Sequence, residues 1–384
     1  MADGGAFCFD SRKFSGMLLM RSTDLIKHIP VVLIAVLLCG LAPMAMADTA
    51  PDGDEYIFYP SPPNEPRLQF LTKFSSALDV SAKKKGFRDF VFGGQENEAQ
   101  LINKPYGIAV HAGAVYAVDL RGNGYAIFDL ANRKTRFVRP SGAGTLAKPI
   151  NITIDKDGTR YITDTEKDQI LVFDAQDRFL RAFGETGQFR PIDVAIAGDK
   201  LYVTDILHHQ VHILDKRTGQ TLKSFAEAGS DEGQLFHPTN LSIANDGTVY
   251  VTDTTNFRIQ QFDSDGQFIR SIGSLGNRPG RFARPKGVAL DREDRIYVVD
   301  AAFENIPILA PEGGALMFFG GPGNDRGNLS MPTAIKIDYD NVQFFQRYAA
   351  PNFEIEYLVV VANQFGLNKV AAVSYTHLRA HETR

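Results

Sequence analysis

Short apolar runs separated by polar turns recur six times along the chain, and a proline opens each recurrence. The intervals between these prolines are 44, 42, 47, 47 and 47 residues. Such a period fits one four-stranded propeller blade and exceeds most helical repeats. The prolines are Pro105, Pro149, Pro191, Pro238, Pro285 and Pro332. The pattern therefore predicts a fold built from six similar β units.

The fourth unit shows the internal order of a unit most clearly. Residues 238–243 alternate small or polar side chains with apolar ones, which is typical of an inner strand. Asn245-Asp246-Gly247 then predicts a tight hairpin turn, because the glycine tolerates a positive φ. Strand-like runs follow at 248–253, 258–263 and 267–273. Each unit is thus predicted to be an antiparallel meander of four strands.

A Tyr-x-x-Asp sequence ends the second strand of the first five units, and the six units together suggest a ring. An isolated blade exposes both faces, whereas blades stacked around an axis bury them against one another. We therefore predict an all-β, six-bladed β-propeller. The Tyr-x-x-Asp pairs are Tyr116 and Asp119, Tyr161 and Asp164, Tyr202 and Asp205, Tyr250 and Asp253, and Tyr297 and Asp300.

The sixth unit departs from this pattern. Asn363 stands where the other units have aspartate, and an aromatic-rich insertion runs from about Tyr339 to Ile355. No outer strand follows, and an unpaired strand edge promotes aggregation. Residues 67–74 have the pattern of an outer strand, so we predict that they close the ring by pairing into blade six. The insertion is consistent with a lid, a docking hairpin or packing.

These sequences resemble the NHL-repeat family of six-bladed propellers. The resemblance rests on Pro238-Thr239-Asn240-Leu241-Ser242-Ile243 and on the run from Val249 to Ile259, and it covers residues 100–371. It implies a bacterial exported, TolB-like propeller in which an arginine pairs with the repeated aspartate, as Arg258 would with Asp253. Other residues take the place of that arginine in four units: Gly124, Gln169, Gln210 and Asn305.

The two ends are predicted to be separate segments. In residues 1–47, Lys27 precedes an apolar run from Val31 to Leu41 and then small residues, the pattern of a Sec-type signal peptide. The run is shorter than the roughly 18 to 20 residues of a spanning helix. We expect a periplasmic or secreted protein with no stable membrane span after cleavage, rather than a lipoprotein on Cys39 or an uncleaved anchor.

Beyond the leader, residues 48–99 are assigned to an N-terminal segment with the ring-closing strand, and 100–372 to the propeller. Residues 373–384 look like a translated sequencing adapter. His377 and His381 are spaced as a metal pair on a helix would be, but they fall in this tail. We assign them no function.

Charge and cysteine usage narrow the partner classes. The leader and tail carry six of the 41 basic and four of the 45 acidic residues, so the remainder has a net charge of about −6. That balance argues against nucleic-acid binding, which needs a broad basic face. Cys8 and Cys39 both lie in the leader, so no disulfide and no cysteine-ligated zinc is predicted. We expect a monomer.

One face of the ring should carry the variable chemistry. In a four-stranded meander, the loop before the first strand and the loop after the second strand open on the same face. The residues before the prolines are mostly cations, which either form an anion-attracting mouth or pair with nearby aspartates and tie blades together. They are Lys104, Lys148, Arg190 and Arg284, with His237 in the fourth unit.

Two polar groups raise the question of a metal. His208 and His209 follow Asp205, and His237 could meet them across a blade boundary, but a third zinc ligand is not identifiable. Asn151, Asp193 and Asn240 lie on inner strands near the mouth, an incomplete set for zinc and a conceivable one for calcium. No cofactor is predicted, with calcium or zinc as the open alternative.

The leading hypothesis is an extracytoplasmic recognition or scaffold domain without catalytic residues. It would bind a protein partner or a small anionic ligand on the loop-rich face, where Phe257, Phe303 and Phe365 either contact the partner or pack locally. The alternative is a metal-dependent lyase or hydrolase resembling six-bladed amidating lyases or lactonases. The propeller fold alone does not distinguish a recognition domain from an enzyme. The candidate binding residues are Lys104, Lys148, Asn151, Arg190, Asp193, His208, His209, His237, Asn240, Phe257, Arg284, Phe303, Asn363 and Phe365.

Overall fold

The structure is a computed structural model that describes residues 56–80 and 101–376. These residues form six antiparallel sheets, five of four strands and one of five. No helix among them is long and apolar enough to cross a membrane. The predicted signal peptide, His377 and His381 lie outside the described residues. The prediction of a six-bladed propeller with four-stranded blades is confirmed.

The strands follow the repeat closely. Before the first blade come β1 (Ile57–Tyr59) and β2 (Leu68–Phe74). Blade one contains β3 (Pro105–His111), β4 (Ala114–Asp119), β5 (Gly124–Asp129) and β6 (Lys134–Val138); blade two contains β7 (Pro149–Ile154), β8 (Arg160–Asp164), β9 (Gln169–Phe173) and β10 (Phe179–Phe183); blade three contains β11 (Pro191–Ala197), β12 (Lys200–Asp205), β13 (Gln210–Asp215) and β14 (Thr221–Phe225).

The second half repeats this order. Blade four contains β15 (Pro238–Ile243), β16 (Val249–Asp253), β17 (Arg258–Phe262) and β18 (Phe268–Ile272); blade five contains β19 (Pro285–Leu290), β20 (Ile296–Asp300), β21 (Asn305–Leu309) and β22 (Ala315–Gly320); blade six contains β23 (Pro332–Asp338), β24 (Tyr357–Asn363) and β25 (Val370–Tyr375) with β2 and β1. Short helical turns occur at Ala77–Asp79, Gly142–Gly144, Thr254–Asn256, Val342–Phe345 and Gln346–Tyr348.

Each repeat proline is the first residue of an inner strand, and it lies opposite the last residue of the second strand. Pro105 is paired with Asp119 in this way, and the register of the ladder then shifts before Ile108. The same shift follows the other five prolines. Proline lacks an N–H donor, so it suits a strand end next to a bulge. The repeat unit read from the sequence is therefore a single local geometry.

The ring closes as predicted from residues 67–74. Strand β2 pairs antiparallel with β25, from Leu68 opposite Tyr375 to Phe74 opposite Val370, and so supplies the fourth strand of blade six. Strand β1 adds an outer fifth strand that the sequence pattern did not reveal. Residues Val373–Tyr375, which the sequence analysis assigns to the tail, are the last residues of β25. N-terminal and C-terminal segments thus share one sheet.

The insertion in blade six packs into the core that blades one and six share. Phe345 is fully buried, and its ring lies 6.0 Å from that of Phe74 on β2. Phe74 is in turn 5.4 Å from Phe128 on β5. Asn341 accepts a hydrogen bond from the main-chain N–H of Gly113, in the turn between β3 and β4. Of the three interpretations of the insertion, the geometry favours packing.

We expect Phe74→Ala to lower the free energy of unfolding by about 3–5 kcal/mol, the range for large-to-small changes at buried aromatic positions. The reason is that Phe74 is fully buried where the closing strand meets blade one. Urea unfolding at neutral pH measures the change. The matched control is Leu222→Ala on the outer strand of blade three, where the side chain is 53% exposed. Equal small losses in both variants would contradict the assigned role of β2.

Candidate functional site

We call the face that carries the loops before the inner strands and after the second strands the top face. Its architecture depends on the aspartate that ends each second strand. Asp119 is fully buried and accepts main-chain N–H groups from Asn103 at 2.8 Å, Lys104 at 3.1 Å and Arg121 at 2.9 Å. One carboxylate therefore fixes both top loops of its blade. We call this arrangement the aspartate clamp.

The same clamp recurs around the ring. In blade five, Asp300 accepts the main-chain N–H groups of Ala283 and Arg284 at 2.7 and 3.1 Å. In blade six, Asn363 takes over: its Oδ1 accepts from the N–H of Ser330 and its Nδ2 donates to the carbonyl of Asn368. Asn363 is fully buried. Asn363 therefore has a structural role in the clamp, and it does not lie on the surface of the predicted mouth.

The clamp directs the cations that precede the prolines. Because the aspartates bind main-chain N–H groups, they leave the basic side chains free to point elsewhere. Arg190 forms an ion pair with Asp168 at 2.9 Å, the one ion pair of these four cations within the described part of the chain. Lys104 lies over the ring of Phe365 at 5.3 Å. Lys148 and Arg284 are exposed on the top face.

Inside this ring of cations, the residue after each proline lines the entrance of the channel. Tyr106, Ile150 and Ile192 form one apolar cluster there. Lys286 belongs to the opposite side of the entrance and donates a hydrogen bond from Nζ to the Tyr106 hydroxyl at 3.2 Å. Each of the four residues is less than 10% exposed. The entrance is therefore narrow.

Lys286 is the residue that the sequence analysis missed. Its Nζ lies 4.9 Å from the centre of the Tyr106 ring, and no carboxylate of the described residues lies within ion-pair distance of it. A buried cation without a carboxylate is unusual, because burial disfavours an unpaired charge. Its position directly after a repeat proline was the available signal.

The inner-strand polar residues form a hydrogen-bonded row below the entrance, in which the buried Oδ1 of Asn240 is left without a partner. Asp193 accepts from the Nδ2 of Asn151 at 2.7 Å and from the Nδ2 of Asn240 at 3.2 Å. It also accepts the N–H groups of Val194 and Leu241, so each carboxylate oxygen has two donors. Burial raises the pKa of Asp193, and the charge of Lys336 opposes this rise. All three polar side chains are at least 97% buried.

This row is not arranged as a cation site. Cations need oxygen ligands that face one another, whereas here two amide nitrogens face the carboxylate. The sequence analysis placed the row near the mouth, and the structure places it between the inner strands of blades two, three and four. Because every oxygen of Asp193 is occupied, the row links these blades. The calcium alternative therefore has no free oxygen of Asp193 to use.

Blade three gathers histidines at its clamp. Asp205 is fully buried; its Oδ2 lies 2.7 Å from the Nδ1 of His208 and 3.0 Å from the Nε2 of His212. Burial works against the charge of Asp205, yet the hydrogen bonds from His212, the Arg190 main chain and His208 lower its pKa to about 2. The sequence analysis lacked a third partner here, and His212 is that partner.

The second histidine group meets across the boundary of blades three and four. The rings of His209 and His237 are 4.8 Å apart, and His209 stacks on Phe236 at 4.6 Å. Burial and the neighbouring His237 lower the pKa of His209. The predicted meeting of His209 with His237 thus occurs in the structure, but His208 belongs to the other group.

Exposed apolar side chains are the remaining feature of the top face. Phe303 and Phe365, two of the three predicted loop phenylalanines, are 38% and 43% exposed. Phe257 is half-buried and has a left-handed backbone, with φ of 58°. Further apolar side chains on top loops are between 37% and 62% exposed: Leu207, Phe236, Leu275 and Leu367.

Two concavities lie away from the narrow entrance. A cavity of about 690 Å³ opens at the other end of the channel, where Thr153, Ile196, Ser242 and Lys336 are among its lining residues. A groove of about 660 Å³ runs along blade five. The pattern of prolines and aspartates drew attention to the top face, and it carried no information about the opposite end.

Comparison with known proteins supports the fold. A family model described as a 6-bladed beta-propeller matches residues 228–306. A gluconolactonase from Xanthomonas campestris shares 15% identity with a TM-score of 0.54, covering 80% of this chain and 98% of that one. A protein of unknown function from Bacteroides thetaiotaomicron shares 15% identity with a TM-score of 0.56, covering 81% and 76%. At such identity the likeness shows the fold alone.

One curated relative is more similar over a short stretch. A probable peptidyl-alpha-hydroxyglycine alpha-amidating lyase, pgal-1 of Caenorhabditis elegans, is 30% identical over 100 residues, which is 25% of this chain. The match spans 29% of that relative's length. These matches establish a six-bladed propeller, and the NHL-repeat resemblance stays a prediction.

We expect Asp193→Asn to lower the free energy of unfolding by about 1–3 kcal/mol, the penalty for buried hydrogen-bonding groups left without partners. The substitution places an amide N–H₂ among four N–H donors, and removing the buried charge offsets only part of the loss. Chemical unfolding at neutral pH measures this. Asp231→Asn on an exposed loop is the control, with a change within about 0.5 kcal/mol. Indistinguishable effects of the two substitutions would show that the row does not link the blades.

Proposed function

We propose that this protein is an extracytoplasmic recognition domain whose top face binds an acidic segment of a partner protein. Export to the periplasm or beyond is part of the proposal and rests on the signal-like residues 1–47. The observation that carries the binding proposal is the combination of exposed cations and exposed apolar rings on one face. Lys148, Arg284, Phe303 and Phe365 represent the two kinds of contact.

The rigidity of the top loops supports this role. The aspartate clamp holds the main chain before each proline, so binding need not first order these loops. Preorganised contacts lose less free energy on association than flexible ones do. Exposed phenylalanines provide large contact areas, and cations at the rim favour encounter with acidic partners. The face therefore offers fixed positions for both charge and apolar contact.

The shape of the entrance favours a protein segment over a small molecule. Small-molecule sites are usually concave and enclose most of the ligand. At the top entrance, Tyr106, Ile150, Ile192 and Lys286 are nearly buried, which leaves little room for a ligand to enter. The exposed contacts instead surround the entrance.

An enzyme is the second candidate, and the stretch shared with the amidating lyase favours it. Under this alternative the protein is a metal-dependent lyase or hydrolase, and a small substrate would occupy the cavity at the lower end of the channel. Lys336 lines that cavity. The four donors that occupy both oxygens of Asp193 weigh against a metal at the inner strands. The alternative predicts tightly bound calcium or zinc that Asp193→Asn removes.

We expect Lys148→Glu with Arg284→Glu to weaken the binding of an acidic, phenylalanine-containing peptide by about tenfold or more. The probe is a fluorescein-labelled hexapeptide of alternating Glu and Phe, and fluorescence anisotropy measures its dissociation constant at two salt concentrations. Reversing two rim charges replaces attraction by repulsion. The effect on affinity should be large, because close charge pairs at interfaces are strongly coupled. Binding to the unaltered protein should weaken as salt rises.

The control pair is Lys134→Glu with Lys223→Glu, which changes the net charge equally on exposed outer strands. It should leave the affinity within about twofold, since surface charges at a distance are screened. A peptide in which Lys replaces Glu should not bind. The proposal fails if no acidic peptide binds, or if both pairs of reversals weaken binding equally.

A further inference from the structure

The geometry of blade three points to a site for one divalent transition metal ion, of the class that imidazole and carboxylate ligands bind, such as Zn²⁺. We infer that Asp205, His208 and His212 are its three protein ligands. Their donor atoms lie within 4.8 Å of one another. This site is independent of the proposed binding of an acidic partner, since it needs neither the entrance of the channel nor the cations on the rim.

The distances suit a small tetrahedral ion. Asp205 Oδ2 lies 2.7 Å from His208 Nδ1 and 3.0 Å from His212 Nε2. Ligands about 2.0–2.1 Å from a tetrahedral zinc ion stand roughly 3.3 Å apart, so the two distances between Asp205 and the histidines need only small outward shifts. Three protein ligands leave a fourth position open, the arrangement found in zinc sites that bind water or a substrate.

The surroundings hold His212 in the orientation that a ligand needs. Its Nδ1 lies 2.7 Å from the hydroxyl of Ser224, its partner on the neighbouring strand, so the Nε2 remains directed at Asp205. Phe189 packs beside the ring, with centroids 5.6 Å apart. A second hydrogen bond of this kind fixes ring orientation and tautomer at metal sites. The His212 side chain is 9% exposed.

His208 supplies the accessible side of the site. Its side chain is 46% exposed, whereas Asp205 is fully buried. An ion can therefore reach the site from solvent, and the open fourth position would face the top surface. The Oδ1 of Asp205 is already held by the N–H groups of Arg190 and Leu207, which leaves Oδ2 for the ion.

Blade four shows what the same positions look like without imidazole. There the clamp is Asp253, and Asn256 and Gln260 stand three and seven residues later, where blade three has His208 and His212. Both amides donate to Asp253, at 2.9 and 3.2 Å. Gln260 even has a cross-strand serine, Ser271. No imidazole is therefore needed at these positions in blade four.

Blade four also differs at the fifth position after the clamp. Arg258 donates from Nε to the Oδ2 of Asp253 at 2.9 Å and so supplies a permanent positive charge. In blade three the matching residue is the neutral Gln210. The Oδ2 of Asp205 is contacted by two imidazoles and by no arginine or lysine within the described chain. Asp205 therefore keeps a negative charge that no arginine or lysine of the described chain offsets and that a metal cation would balance.

The test is isothermal titration of ZnCl₂ into the full-length, tag-free protein, with His377→Ala and His381→Ala as the background to remove the tail histidines. We expect one ion to bind per chain. The key variant is His208→Asn with His212→Gln, which installs the amides of blade four. It should fold normally and bind zinc about 100-fold more weakly or worse, since loss of an outer-shell partner alone costs 10- to 100-fold.

Three further measurements locate the ion. Ser224→Ala should weaken zinc binding by about tenfold, because the serine only orients His212. His209→Asn with His237→Asn should leave the affinity unchanged. Co²⁺ bound to the background protein should show the visible absorption of tetrahedral coordination, and the double variant should lose it. Circular dichroism confirms folding, and His208→Asn alone serves as the reserve because that side chain is exposed.

Absence of zinc binding at micromolar concentrations would overturn the proposal, as would unchanged affinity in the His208→Asn, His212→Gln variant. Loss of binding on replacing His209 and His237 would assign the ion to the other histidine group and would also overturn it. None of these outcomes depends on the acidic-peptide measurement.

Discussion

The fold depends on one repeated interaction, a buried carboxylate that ends the second strand of five blades and binds main-chain N–H groups of two loops, with the amide of Asn363 in its place in blade six. Asp164 shows its full form, with donors from Ala147, Lys148, Glu166 and Lys167. Hydrogen bonds to a charged group contribute about 1.5–3 kcal/mol each, and burial makes their loss more costly. Without the carboxylate, several N–H groups would be buried without partners. The clamp is therefore a condition for closing each blade at its top.

The clamp also separates structural from variable positions. Because it binds the main chain, the side chain before each proline can change without loosening the loop. Lys148 and Arg284 are free to face solvent, and the fourth unit has His237 at this position instead. The third, fifth and seventh residues after the aspartate also vary between blades, and in blade four all three contact its Oδ2. Chemistry can therefore be placed on the rim at little cost to stability.

Most of the fold could be predicted because the repeat reports on local geometry. The prolines mark inner strands, and the Tyr-x-x-Asp runs mark the ends of second strands. The closing strand was predicted because blade six lacks a fourth strand, which would leave an unpaired strand edge. Strand β1 was not predicted, because Ile57–Tyr59 is three residues long and has no periodicity to read. The ordered packing of Phe345 likewise depends on distant partners.

The candidate site was less predictable, since contacts between blades decide which polar groups are free. Asp193 looked like a ligand at the mouth, but its neighbours on two adjacent inner strands occupy it fully. Lys286 was not among the sequence-predicted residues, because only ring closure places it beside Tyr106, 180 positions away in sequence. His212 was not among them either, and it reaches Asp205 because β12 and β13 pair in register. In each of these three cases the strand was predicted correctly, and what the sequence did not reveal was the residue that the side chain contacts.

A repeat protein thus offers its own reference for judging function. Where two blades share a backbone geometry, a difference in side-chain chemistry is not needed to build the blade. Two amides and Arg258 satisfy Asp253, whereas two imidazoles and the neutral Gln210 occupy the same positions in blade three, so the imidazoles are not required by the shared geometry. The same reasoning excludes Asn363, whose contacts reproduce the clamp, and retains Lys286, whose charge no neighbouring carboxylate of the described residues balances. The candidate functional positions in such a ring are those whose side chains are not needed to build the geometry that the blades share.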